Sequence, residues 1–203
     1  MELAKQKPDW AFGYQDETWW SRYAHPSLHS WAENGEFLKL IAKVEDAKDP
    51  EPKAIACYGL AVHWYTETGK HQEVWLRFVE GNPCSNLTIQ YLKWLLDKVQ
   101  QAGKKALVML WDNATWHKSW VVRNWIKEHN RNVKALQQGV RLLTFLLPKK
   151  SPWLNPIEPM WLHAKRKVVE PDDKLTKMEL MQRVCAVFDN PILPVFTISE
   201  NVS

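Results

Sequence analysis

Three carboxylates, Asp16, Asp112 and Glu158, each stand where a regular element is expected to begin or end. Asp16 follows Trp10, Phe12 and Tyr14, which alternate along DWAFGYQDETW as on one face of a strand. Asp112 closes the apolar run KALVMLWDN, the pattern of a strand buried on both faces. Glu158 lies in PKKSPWLNPIEPMW, where four prolines stiffen the approach to an expected helix. Carboxylate oxygens are hard donors that suit Mg²⁺. Two such ions, about 3.5–4 Å apart, can hold both the attacking and the leaving oxygen of an in-line displacement at phosphorus. Acids from three elements, meeting at one end of a sheet, can supply that clamp.

Each acid also has a plainer reading. Asp112 in WDNATWH suits the start of a turn, and Asp16, beside Glu17, suits a solvated loop. Glu158 can be the reaching-back member of a capping box, with Asn155 as N-cap and Pro156 as the first helical residue. Pro159 complicates that arrangement, because it disfavours helical geometry at Glu158 and removes an amide hydrogen bond. The helix is therefore expected to start irregularly, or later than Asn155. In either case the rigid flanks aim the carboxylate before any ion arrives.

The elements that must position these acids follow from periodicity. AIACYGLAVHWY and EVWLRFVEG read as two strands of a hairpin joined at TETGK. TIQYLKWLLDKVQQAG places Ile89, Leu92, Leu95, Leu96 and Val99 on one helical face, with Gly103 as its stop. HKSWVVRNWIKEHN reads as a helix, EHNRNVKALQQG as a loop, and GVRLLTFLLP as a further buried strand. TKMELMQRVCAVF opens with a capping box, Thr176 and Glu179. The last stretch, NPILPVFTISENVS, has no assigned element and is expected to fray. This order implies an α/β protein with a mixed sheet covered by helices, its site at the strand ends.

Bulk properties narrow the classes. The chain has 203 residues, 45% apolar and 25% charged, which suits one globular domain. A net charge of +4 and a pI near 8.9 are compatible with nucleic acid without requiring it. Three dispersed cysteines, Cys57, Cys84 and Cys185, argue against a disulfide framework or zinc site and fit a reducing compartment. No stretch is apolar enough to span a bilayer, and the start has no signal-peptide pattern. The 13 tryptophans permit either a tight core or an aromatic binding face. Most, such as Trp75, Trp94 and Trp125, fall in periodic apolar patterns, which favours packing over a carbohydrate-binding module.

Taken together, LPKKSPWLNPIEPMW, VMLWDNATWH and YQDETWWS followed by SWAENG resemble the acid-bearing segments of the DDE transposases of the mariner superfamily, in the bacterial insertion-sequence 630 branch. The resemblance runs from Trp10 to Phe188, and its most specific segment is the last acid's. It implies a ribonuclease-H-like fold, a mixed five-stranded sheet flanked by helices, over residues 1–190, with 191–203 as a tail. It implies Asp16, Asp112 and Glu158 as catalytic ligands of two Mg²⁺ ions, for which Mn²⁺ can substitute. The implied activity is metal-dependent cutting of phosphodiester bonds at transposon ends, then joining of the 3′-hydroxyl to target DNA at a TA dinucleotide. The implied partners are double-stranded DNA and a second copy on paired ends, in a bacterial cytoplasm and on the nucleoid.

Around the acids, Asn113, His117 and Asn155 match the motifs as substrate-binding or supporting groups, though His117 equally suits a satisfied residue in a helix's first turn and Asn155 a cap. Lys149, Lys150, Lys165, Arg166 and Lys167 flank Glu158, where phosphate contacts would make binding salt-dependent. Trp161 reads as core, and Trp153 is left open, since an exposed indole can stack on a flipped base. Two features depart from the family pattern. No helix-turn-helix reader fits ahead of the first strand, so a separate segment or upstream reading frame is expected to supply it. Also, 45 residues lie between Asp112 and Glu158, the excess being assigned to EHNRNVKALQQG. The missing reader motivates an alternative, a truncated and catalytically unproductive transposase that binds DNA or inhibits an intact one.

Overall fold

The computed structural model describes residues 5–25, 43, 45, 47–149, 151–169 and 173–198. Five strands build one mixed sheet: β1 (Trp10–Ser21), β2 (Ala54–Thr66), β3 (Gly69–Val79), β4 (Ala106–Trp111) and β5 (Arg141–Leu146), ordered β3-β2-β1-β4-β5. The hairpin pairs β2 and β3 antiparallel, β1 pairs antiparallel with β2, and β4 and β5 add on in parallel. Among the described residues four helices flank the sheet: α1 (Ser85–Gln101), α2 (Trp120–Leu136), α3 (Ile157–Val168) and α4 (Lys177–Val187).

Period-two alternation along β2 splits the core. Ala56, Tyr58, Leu60 and Val62 pack with α1 residues such as Leu92 and Leu95, and with Val122 of α2. Ile55, Cys57 and Ala61 face the other way, against Ile157, Trp161 and Ala164 of α3 and Leu180 and Val184 of α4. Among the described residues no helix is long and apolar enough to cross a membrane. The Thr176–Glu179 capping box opens α4 as expected, with Thr176 Oγ1 accepting from the Glu179 amide at 3.2 Å.

Three expectations need correction. Strand β1 does not end at Asp16 but continues to Ser21, because β2 pairs with it as far as Ser21↔Ala54. EHNRNVKALQQG is mostly not a loop: α2 runs to Leu136 and turns off at Gln137 in the left-handed conformation, so most of the excess length is helix. Nor is the whole C-terminal stretch frayed. Phe196 takes a hydrogen bond from the Glu80 amide (2.8 Å) and gives one to Phe78 O (2.9 Å), while the Arg77 guanidinium lies 3.7 Å from the centre of its ring.

Asparagine side chains cover part of both sheet borders. On β5, Asn130 Nδ2 donates to Leu142 O (2.7 Å) and its Oδ1 accepts from Leu142 N (2.9 Å). On β3, Asn190 Nδ2 donates to Val74 O (2.7 Å) while its Oδ1 accepts from Leu76 N (3.4 Å). Asn190→Ala strips both groups of their partner and is expected to cost about 1–2 kcal/mol. Urea denaturation of the two proteins checks this, with a lowered midpoint and an unchanged slope as the expected result.

Candidate active site

The site forms where β1 and β4 part. Their parallel pairing ends at Tyr14↔Leu110, and Asp112 is the first residue beyond β4. Asp16 lies just past that last pair, opposite Gly59 of β2. Glu158 comes to the same edge from the first turn of α3. Asp112 lines two adjoining hollows, one with Asp16 and Glu17, the other with Glu158, Lys118 and Lys149.

The helix bearing Glu158 starts irregularly, as the prolines required. A 3₁₀ turn, Pro152–Leu154, precedes it and Pro156 occupies the cap, with no side-chain hydrogen bond closing the cap. Glu158 therefore does not serve as a capping-box member. Asn155, 2% exposed, sends its Nδ2 to Gln15 O at 3.3 Å, pinning this loop to β1 beside Asp16. Its Oδ1 also accepts from Ile157 N at 3.5 Å, although the cap position itself is Pro156, not Asn155 as the sequence suggests. Asn113 makes a similar brace, Nδ2 to Leu147 O at 2.6 Å, which joins the loop after β4 to the end of β5.

His117 lies in a turn before α2, not in the helix, and its side chain is fully buried. One ring nitrogen lies 2.8 Å from Asp112 Oδ1, the other 2.9 Å from Glu17 Oε1, and the ring stacks on Trp111 at 4.4 Å. Burial alone would lower its pKa, but the two carboxylates outweigh burial and raise it to about 9. His117 bridges two carboxylates, and the ligand atoms of Glu17, Asp112 and His117 all lie within 4.8 Å of one another. Both ring nitrogens thus face carboxylate oxygens, and the same three residues form a group that could hold a metal ion. The bond from His117 also holds Asp112 below the usual carboxylate range, and half of the Asp112 side chain remains exposed.

Asp16 is in the opposite condition. Burial, then the neighbouring Glu17 charge, raise its pKa to about 7; Glu158 adds to the rise, and one hydrogen bond from Trp161 Nε1 (3.0 Å) works against it. An excess of buried negative charge with hard oxygen donors fits a divalent cation. Asp112 stands between the other two acids, sharing one hollow with Asp16 and the adjoining one with Glu158.

The basic residues divide. Lys149 lines the cleft, whereas Lys165, Arg166 and Lys167 lie further along α3 and are exposed. Lys150, Trp31 and Gly35 fall outside the described residues. Trp161 is core, as expected, and Trp153 is 75% exposed. Sequence reasoning missed Glu17 and Lys118. Alternation along β1 could have found the first, since it turns Glu17 away from Asp16 and toward the side of α2.

A 3-2-1-4-5 sheet of this pairing, flanked by four helices, is the ribonuclease-H-like fold. Within that class the chain belongs to the DDE superfamily endonucleases, whose family pattern matches residues 14–179. Its structure is similar to the Mos1 transposase paired-end complex with left transposon end, at TM-score 0.58 and 14% identity over 94% of this chain and 52% of that one. It is also similar to the Mos1 mariner paired-end complex with Mn, at TM-score 0.56 and 14% identity over 89% and 48%, and to the Mos1 strand transfer complex, at TM-score 0.53 and 13% identity over 94% and 51%. At these identities the likeness is one of fold, and the chain spans about half the length of these solved chains. No curated protein matches the sequence.

Proposed function

We propose that this chain is a transposase catalytic domain of the mariner superfamily, in the bacterial insertion-sequence 630 branch, that cuts phosphodiester bonds at transposon ends and joins the freed 3′-hydroxyls to target DNA. The observation that carries this reading is that Asp112 borders both hollows, one holding Asp16 and the other Glu158, inside a DDE endonuclease domain. Asp16, Asp112 and Glu158 are the residues that would hold Mg²⁺ or Mn²⁺, two ions to a site. Bound ions supply Lewis-acid stabilisation of charge on the phosphoryl oxygens. The chain's own groups do the rest. His117 and the Ala114 amide, 2.9 Å from Asp112 Oδ1, fix the Asp112 carboxylate. Asn155 and the proline-rich loop aim Glu158, while Lys118 and Lys149 line the cleft where a DNA phosphate would lie.

The Mos1 neighbours are paired-end and strand-transfer complexes. They support transposon-end DNA as the partner; a second copy on paired ends, a separate helix-turn-helix reader, a TA target and the bacterial nucleoid are proposed from the motif resemblance alone.

Calorimetric titration with Mn²⁺ tests the metal assignment. Wild type is expected to bind the ion, and Glu158→Gln, which keeps size and removes charge, at least ten-fold more weakly. Equal binding by both would remove Glu158 from the site. On pre-nicked DNA with Mn²⁺, cleavage is expected from wild type and none from Asp112→Ala. No cleavage by wild type, even with a DNA-reading partner supplied, would overturn the enzymatic reading.

A further inference from the structure

Among the described residues only three tryptophans are exposed, Trp19 (42%), Trp120 (71%) and Trp153 (75%), and each lies close in sequence to an acid or to His117. Trp19 differs from the other two in its setting. It lines the hollow that holds Asp16 and Asp112, and it also lines a neighbouring groove of about 670 Å³ between the end of β1 and α3. It is therefore the wall the two spaces share.

The far side of that groove comes from α3. Glu158, Leu162, Lys165 and Arg166 follow one another at helical spacing along a single face, which leads from the third acid to an apolar residue and then to two cations. Leu162 is 57% exposed. The Lys165 ammonium lies 5.9 Å from the centre of the Trp20 ring and is near enough to Asp16 to feel its charge, so the basic end of the groove stays close to the acids. The groove falls in the size range of small-ligand sites. Its apolar middle and cationic end match a base joined to a phosphate.

We propose that this groove takes one unpaired nucleotide of a DNA strand that continues from the acid cleft, with its base on Trp19 and Leu162 and its phosphate at Lys165 and Arg166. Paired bases keep their faces inside the duplex stack, so only an unpaired or everted base can offer its π-face to an exposed indole. Such stacking tolerates any base, so the groove selects for strand opening and not for sequence. The proposal rests on the reading of DNA as substrate and adds a preference for frayed or extended ends.

The test uses the whole chain in EDTA at low salt, with two DNAs. One is a blunt duplex, and the other is the same duplex with a three-nucleotide single-stranded extension carrying 2-aminopurine. Wild type is expected to bind the extended DNA about ten-fold more tightly than the blunt one and to quench the 2-aminopurine, in line with the usual strength of base–aromatic stacking. Trp19→Ala is expected to lose the preference and the quenching while still binding DNA, and Trp19→Phe to keep part of both. Melting temperatures within a few degrees of wild type establish that the variants are folded. Equal preference and quenching in wild type and Trp19→Ala overturn the groove assignment, as does wild type binding both DNAs equally without quenching; the DNA reading survives either result. Wild type binding neither DNA overturns both.

Discussion

Asp16→Asn will stabilise the metal-free protein at pH 8 while removing most of its affinity for Mn²⁺. The sign follows from the Asp16 carboxyl, whose pKa rises from 3.8 to about 7 in the fold, through burial first and then the charges of Glu17 and Glu158. Between those values the folded chain keeps a proton that the unfolded chain has lost. Stability from this group is therefore complete below about pH 4, falls as pH rises through 7, and is flat above. A neutral asparagine removes that decline. Allowing for partial solvent screening, the gain at pH 8 is about 2–4 kcal/mol, and it vanishes near pH 4. Thermal melts of both proteins from pH 4 to 8 check the trend, and curves that stay parallel would contradict it. Adding Mn²⁺ is expected to raise the wild-type melting temperature at pH 8 and leave Asp16→Asn unmoved, because a bound cation offsets the same charge that asparagine deletes. The most destabilising ionised group of the cleft is thus the one with most to gain from a cation, in keeping with the usual conflict between stability and activity at a site.

Gly59→Ala will lower stability and disturb the same carboxylate without touching it. Gly59 sits across from Asp16, and a Cβ there would come within 2.3 Å of the Trp161 ring. Trp161 is 4% exposed, packed edge-on against Trp20 and Phe188, and has no easy retreat. Overpacking of this kind costs about 1–3 kcal/mol. Any shift of the indole also draws Trp161 Nε1 away from Asp16 Oδ2, now at 3.0 Å. Trp161→Phe separates the two effects, since it deletes the N–H without crowding the strand. Both variants are expected to weaken Mn²⁺ binding, and urea midpoints to fall further for Gly59→Ala if the crowding argument holds. A Gly59→Ala protein with wild-type stability would show that the indole can move freely.

Why Gly59 matters could not be read from the sequence, and the reason is general. Periodicity gave the strands and helices because alternation along β2 and the helical spacing of Leu92, Leu95 and Val99 are local properties. The order of elements then limited the sheet to few arrangements. What sequence did not carry were the relations across the fold: Asp16 opposite Gly59, Glu17 reaching His117 a hundred residues away, and Asn155 bonded to Gln15. The end of β1 is hidden for the same reason, since only β2 as a neighbour keeps it extended past the acid. EHNRNVKALQQG reads as a loop because its polar residues hide a helix that exposes most of its surface. For the acids the position is mixed. Their residues alone leave a turn, a loop and a cap as rivals; the motif resemblance raises them above those readings, and the structure sets Asp112 between a hollow with Asp16 and one with Glu158.

The asparagines at the sheet borders bear on how such a domain can live in company. An open sheet edge on any chain risks joining copies by strand addition, which is unspecific and hard to reverse. Asn130 and Asn190 each occupy backbone groups that a foreign strand would need. An incoming strand must first break an amide's bonds to gain the same number, which leaves little driving force for polymerisation. If copies gather on a DNA end, as the proposed function requires, association is thereby steered away from sheet extension and toward contacts made by loops and helices.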